Sequence, residues 1–141
     1  MNRDASSHRR MWAGSRLTWN PASRLRVGQA VQRVSRIESV KHEVHNAQGL
    51  ALTEEHDIVY RAAPQPGEPA PTPIATLLLE LVRRHRLEAV IRRFEFKAVR
   101  PTFDLQPLRI HGQPSEDGQT ARLWAQDHDG WLTMQGQAEL A

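Results

Sequence analysis

The stretch TPIATLLLELVRRH, residues 72–85, carries the only long helical signal in this chain of 141 residues, and that limits the folds open to it. Ile74, Leu77, Leu78, Leu81 and Val82 recur at helical spacing and make one apolar stripe. Thr72 is suited to cap the helix, and Pro73 suits the first helical position, where its missing N–H costs nothing. Arg83, Arg84, His85 and Arg86 crowd the other end, where the helix dipole favours positive charge. A lone amphipathic helix is stable only when its stripe is packed against something else.

The other patterned segments read as strands. RMWAGSRLTWN offers Trp12, Leu17 and Trp19 as buried anchors and closes at Asn20-Pro21. In RLRVGQAVQRVSRIESV, Leu25 and Val27 share a face; a bend at Gly28 leads into a long strand from Val31 through Ile37. KHEVHNAQGLALTEEHDIVYRA reads as a hairpin turning at Asn46–Gly49, its second strand ending at Tyr60. VIRRFEFKAVRP alternates, with Ile91, Arg93, Glu95 and Lys97 on one face and Arg92, Phe94, Phe96 and Ala98 on the other. LQPLRIHGQP ends in a turn, and TARLWAQDHDGWLTMQGQAEL holds a second hairpin turning at DHDG. Strands, one helix, then more strands imply an α+β domain whose antiparallel sheet wraps around or packs on that helix.

Two segments fall outside this pattern. Residues 1–10 are polar and read as a disordered terminus, leaving 11–141 as the domain. Residues 63–73 hold five prolines and one glycine, a composition that favours extended backbone with few hydrogen bonds and marks a connection.

Composition excludes several classes. The chain has no cysteine, so disulfides, thiolate metal sites and a cysteine nucleophile are ruled out. The first residues lack the apolar core of a signal peptide, and the run from Ile74 to Val82 is far too short to span a bilayer, so a cytoplasmic location with no membrane partner is the expectation. The formal charge of +3 permits anionic partners. Aromatics are only 6% of residues, which argues against stacking platforms and hence against nucleic acid.

Few constellations suggest chemistry. His42 and His45 are three apart in an extended segment and so face opposite ways, unlike the two same-face histidines of a zinc helix, so no metal site is expected. His56 beside Asp57, and His128 between Asp127 and Asp129, are sequence neighbours that also face apart, and acidic residues before Gly130 suit a turn. There is no nucleophile elbow and no glycine-rich phosphate loop. Arg83, Arg84, Arg86, Arg92 and Arg93 form a basic group suited to phosphates, such as those of a coenzyme A substrate; solubility and dipole complementarity account for the same residues.

The segments RMWAGSRLTW, LRVGQAV, GLALTEEHDIVYR, IATLLLELVRRH, IRRFEFKAVRPTFD and RLWAQDHDGWLTMQGQAEL, in that order, resemble the MaoC-like dehydratase family. The branch concerned holds mesaconyl-CoA (itaconyl-CoA) hydratases and 3-hydroxyacyl-thioester dehydratases. The resemblance implies a double hot dog, in which each half is an antiparallel sheet curled around one long helix; the single helical signal points to a remnant of it. It also implies reversible addition of water to an enoyl thioester of coenzyme A or acyl-carrier protein, without a cofactor. In the family a block of roughly fifty residues, far longer than the usual connection, precedes the second helix and holds the acid–base histidine and its polar partner. Residues 63–73 stand in its place here, so no catalytic residue carries over and impaired activity is the expectation. The alternative is a non-catalytic hot-dog subunit or binding module that forms a homo- or hetero-oligomer with another hot-dog chain. No segment speaks specifically for a hot-dog thioesterase.

Overall fold

A computed structural model of the chain describes residues 8–36, 41–62, 67, 73–103 and 105–141. Eight strands, β1 (His8–Trp19), β2 (Gln32–Arg36), β3 (Lys41–Asn46), β4 (Gly49–Ala62), β5 (Ile91–Ala98), β6 (Arg109–Pro114), β7 (Thr120–Gln126) and β8 (Leu132–Leu140), join in one sheet of order β2-β3-β4-β1-β5-β8-β7-β6. Every pairing is antiparallel. One helix, α1 (Ile74–His85), packs against β6, β7 and β8. This is the expected α+β arrangement.

The core lies between α1 and what we term the inner face of the sheet. Ile74, Leu78 and Val82 are buried from the helix; Phe94, Phe96, Ala121, Leu123, Ala125, Met134, Ala138 and Leu140 meet them from β5, β7 and β8. Leu17 and Trp19 of β1 pack against the edge of this cluster, and the side chain of Trp12 lies outside the described residues. The stripe on α1 is shifted from the expected one: Leu81 is partly buried, but Leu77 is 37% exposed. Gly136 is needed where β8 crosses β5, because a Cβ there would come within 2.8 Å of the Glu95 carbonyl oxygen and 3.5 Å of Phe96 Cβ.

Several local expectations need correction. β1 begins at His8, within the segment read as a polar terminus; residues 1–7 lie outside the described residues. Of the strand expected from Val31 through Ile37, β2 covers Gln32–Arg36, and Ile37 lies outside the described residues. Leu25, Val27 and Val31 lie in an exposed loop, which Asn46 ties to the sheet by accepting from Ser23 Oγ at 2.6 Å and donating to the Arg24 carbonyl at 3.2 Å. Gly28 turns that loop with φ of 81°. Pro73, not Thr72, occupies the helix cap position and supplies no side-chain hydrogen bond; Thr72 and most of the proline-rich connection lie outside the described residues. Ile91 packs on the core side with Phe94 and not with Arg93, because Arg92 is an extra residue in β5 that shifts the register against β8.

The two hairpin turns are built from side chains the sequence marks. Asn46 Oδ1 accepts the Gln48 N–H at 2.9 Å, and Gly49 adopts φ of 107°. Asp127 Oδ1 accepts the N–H groups of Asp129 at 3.1 Å and Trp131 at 2.9 Å, with Gly130 at φ of 87°.

The position of the stripe can be tested on neighbouring residues. Leu78 is fully buried, so Leu78→Ala is expected to cost about 2–5 kcal/mol of stability. Leu77→Ala should change stability by no more than about 0.5 kcal/mol. Urea denaturation of the two variants measures both, and equal losses would show that α1 is seated on a different face.

Candidate functional site

The inner face changes character across the sheet. Beneath α1 it is apolar; toward β4 and β3 it becomes polar. Register explains how. Ser15 of β1 lies on the inner face with Leu17, and it pairs with both Phe96 of β5 and His56 of β4. Glu54, two residues from His56, therefore faces the same way, and β3 places His42 opposite Glu54. That last pairing depends on a bulge. His45 pairs with Leu50 but Val44 pairs with Leu52, so Ala51 is an extra residue in β4.

These four side chains touch. Ser15 Oγ donates to Glu54 Oε1 at 2.9 Å, and His56 Nε2 lies 2.8 Å from the same oxygen. The His42 ring stands edge-on to His56 with centroids 4.5 Å apart. Ser15 is buried, and the Glu54 and His56 side chains are 17% and 19% exposed. Burial, then the nearby Arg33 guanidinium, then His56 hold His42 below the usual histidine range, with Glu54 pulling the other way. The arrangement offers two imidazoles and a carboxylate in a partly desolvated place, suited to proton transfer or to metal ligation.

Neither His42 nor His56 was singled out by its sequence neighbours for the right reason. His45 does face away from His42 and contacts Glu43 at 3.4 Å. Asp57 faces outward and pairs with Arg16 at 3.7 Å, so it is no partner for His56. The partner is Glu54, at the period-two spacing of a strand. The signal E-x-H was present in TEEHD, but the match with His42 needed the bulge at Ala51.

The five arginines are divided among different surroundings. Arg83 and Arg92 line a cavity of about 300 Å³ with Arg24, Trp19, Leu25 and Ile91. Arg84 lies 3.8 Å from Glu80 one turn earlier on the helix. Arg86 donates to the Gly118 carbonyl at 3.2 Å and ties the helix end to the β6–β7 turn. Arg93 sits on the outer face, 3.1 Å from Glu95 and 3.9 Å from Glu139. Arg24, unremarked in the sequence, joins Arg83 and Arg92 only because the loop after β1 folds back. A second groove, of about 600 Å³ on the outer face, is lined by charged groups of both signs, among them Arg16, Glu95, Lys97 and Arg122.

The chain is similar to solved structures of thioesterases. It matches the 12:0-ACP thioesterase of Umbellularia californica with a TM-score of 0.65 at 10% identity, covering 96% of this chain and 76% of that one. It matches an acyl-ACP thioesterase of Bacteroides thetaiotaomicron with a TM-score of 0.64 at 8% identity, covering 95% and 77%. The fold is hot-dog-like. At such low identity these likenesses speak for the hot-dog architecture alone. In sequence the chain is similar to mesaconyl-C(4)-CoA hydratase of Chloroflexus aurantiacus, 24% identical over 205 residues that take in 94% of this chain and 70% of the relative. That span exceeds the 141 residues available here, so the relative carries segments this hot-dog chain lacks. No protein-family model matches the chain.

The hydroxyl–carboxylate contact should be energetically visible. A double-mutant cycle of Ser15→Ala and Glu54→Ala, read by urea denaturation, is expected to give a coupling of about 0.5–3 kcal/mol. A coupling of zero would mean that the Ser15–Glu54 contact contributes nothing to stability.

Proposed function

We propose that this chain is a MaoC-like relative of the acyl-thioester hydratases and dehydratases that binds a coenzyme A or acyl-carrier-protein thioester and is impaired in hydration when alone. The likeness to a mesaconyl-CoA hydratase along 94% of the chain carries this reading, and the hot-dog-like fold supports it. Adding water to an enoyl thioester takes a base for the water, a proton donor for the α-carbon and N–H donors for the thioester carbonyl. The first turn of α1 has the dipole for the last task and no side-chain cap competing for it. No residue of the chain matches the family's acid–base pair, which is the reason to expect weak turnover.

In this reading Arg83 and Arg92, joined by Arg24, hold substrate phosphates at the cavity they line. Arg84, Arg86 and Arg93 have other partners and contribute positive field only.

A second reading, a subunit that pairs with another hot-dog chain, is favoured by one observation. Among the described residues α1 packs on β6, β7 and β8, and no helix packs on β2, β3 and β4. As to membranes, no helix among the described residues is long and apolar enough to cross one.

Purified chain mixed with crotonyl-, mesaconyl- or itaconyl-CoA, with enoyl absorbance followed, separates active from impaired. Turnover should fall well below the ~1–10³ s⁻¹ usual for enzymes, and ordinary turnover by the chain alone would overturn the impairment. In equilibrium binding of coenzyme A, Arg83→Gln and Arg92→Gln should each weaken affinity several-fold to about tenfold, given their exposure, while Arg84→Gln leaves it unchanged. Equal effects at all three would refute the phosphate site.

A further inference from the structure

We propose that His42, Glu54 and His56 form a binding site for one divalent transition-metal ion of borderline softness, such as Zn²⁺ or Co²⁺, on the inner face of β3 and β4. Two imidazoles and one carboxylate are the donor set such ions take, with further positions left for water or a ligand. The three ligating atoms all lie within 4.8 Å of one another. Two ligands held about 2.2 Å from one ion can be at most about 4.4 Å apart, so small side-chain rotations bring all three onto it.

The backbone holds these residues in place better than a loop would. Glu54 and His56 are fixed two apart on β4, and the ladder fixes His42 opposite Glu54. Ser15, buried on β1, donates to Glu54 Oε1 and so orients the carboxylate from behind, as hydrogen-bonding partners of metal ligands do. The ligands are half-buried, which lessens competition from bulk water. The neighbouring Arg33 opposes binding. Arg33 Nη2 lies 3.2 Å from His42 Nδ1 and 3.3 Å from its Nε2. Arg33 is exposed on the edge strand β2, so its guanidinium can swing into solvent; its charge lowers affinity without removing a ligand.

A second grouping, Asp127, His128 and Asp129, provides the contrast. Its members are consecutive in the β7–β8 turn, His128 and Asp129 are exposed, and Asp127 Oδ1 is engaged by two backbone N–H groups. That cluster is explained by the turn it closes.

The test is titration of Co²⁺ into the chelator-treated chain, followed by its visible absorption, with Zn²⁺ thermal shifts alongside. The expected result is a cobalt band saturating at one ion per chain. The band should vanish in His56→Ala and in Glu54→Gln, persist in His128→Ala, and require about tenfold more cobalt in Ser15→Ala. Zn²⁺ should raise the melting temperature of the wild type and leave that of His56→Ala unchanged. Absence of a cobalt band in the wild type overturns the proposal whatever the variants do. So does a band that survives in both ligand variants or disappears in His128→Ala. The readout is metal binding itself, so failure of the hydratase reading would leave this result standing, and the reverse.

Discussion

One helix is too narrow for this sheet. Eight strands about 4.8 Å apart span about 34 Å, whereas a helix with its side chains is about 10–12 Å across. Helix α1 therefore covers the β6–β8 side, and the residues beneath it are apolar: Leu123, Ala125, Met134, Ala138. Beyond its reach the same face carries Ser15, Glu54 and His56, joined through the Glu54 carboxylate, and His42, which stands edge-on to His56 and meets Arg33 with its ring nitrogens. Carboxylate and imidazole groups facing inward would be costly under a helix of leucines and valines; here they are tolerable because they are hydrogen-bonded and only half-buried. The limited cover thus fixes both the position of the core and the place where polar chemistry is possible.

Bulges then decide which residues share a face. An extra residue in one strand moves every side chain beyond it to the other face relative to its neighbour. Arg92 does this in β5 and turns Ile91 toward the core. Ala51 does it in β4 and sets His42 opposite Glu54 rather than Thr53. Strict alternation, applied to VIRRFEFKAVRP, placed Ile91 with Arg93, Glu95 and Lys97. It was right for Phe94, Phe96 and Ala98, which lie past the bulge.

The basic residues divide between near and far in the same way. Arg83 and Arg92 are separated by a turn after the helix, and both are legible as basic residues of one neighbourhood. Arg84 and Arg86 look equivalent in sequence but point at Glu80 and Gly118. Arg24 reaches the same cavity from a distant part of the chain, because Ser23 and Asn46 fold its loop against the sheet. The relation to a mesaconyl-CoA hydratase was legible as a succession of short segments, since strand and helix patterns survive where individual site residues do not.

By itself the sequence determined the α+β class, the two hairpins with their Asn46–Gly49 and Asp127–Gly130 turns, the helix and its basic end, and the lack of any thiol chemistry. These follow from periodicity, turn residues and composition, all of which act over a few neighbouring positions. The tertiary structure alone decided that β1 sits between β4 and β5 and that the helix lies under one side of the sheet. It also decided that Ser15, His42, Glu54 and His56 converge. Strand order and the meeting of Ser15 with Glu54 depend on contacts between residues about forty positions apart, and the bulge at Ala51, though it lies within a short hairpin, breaks the alternation that a local pattern would follow.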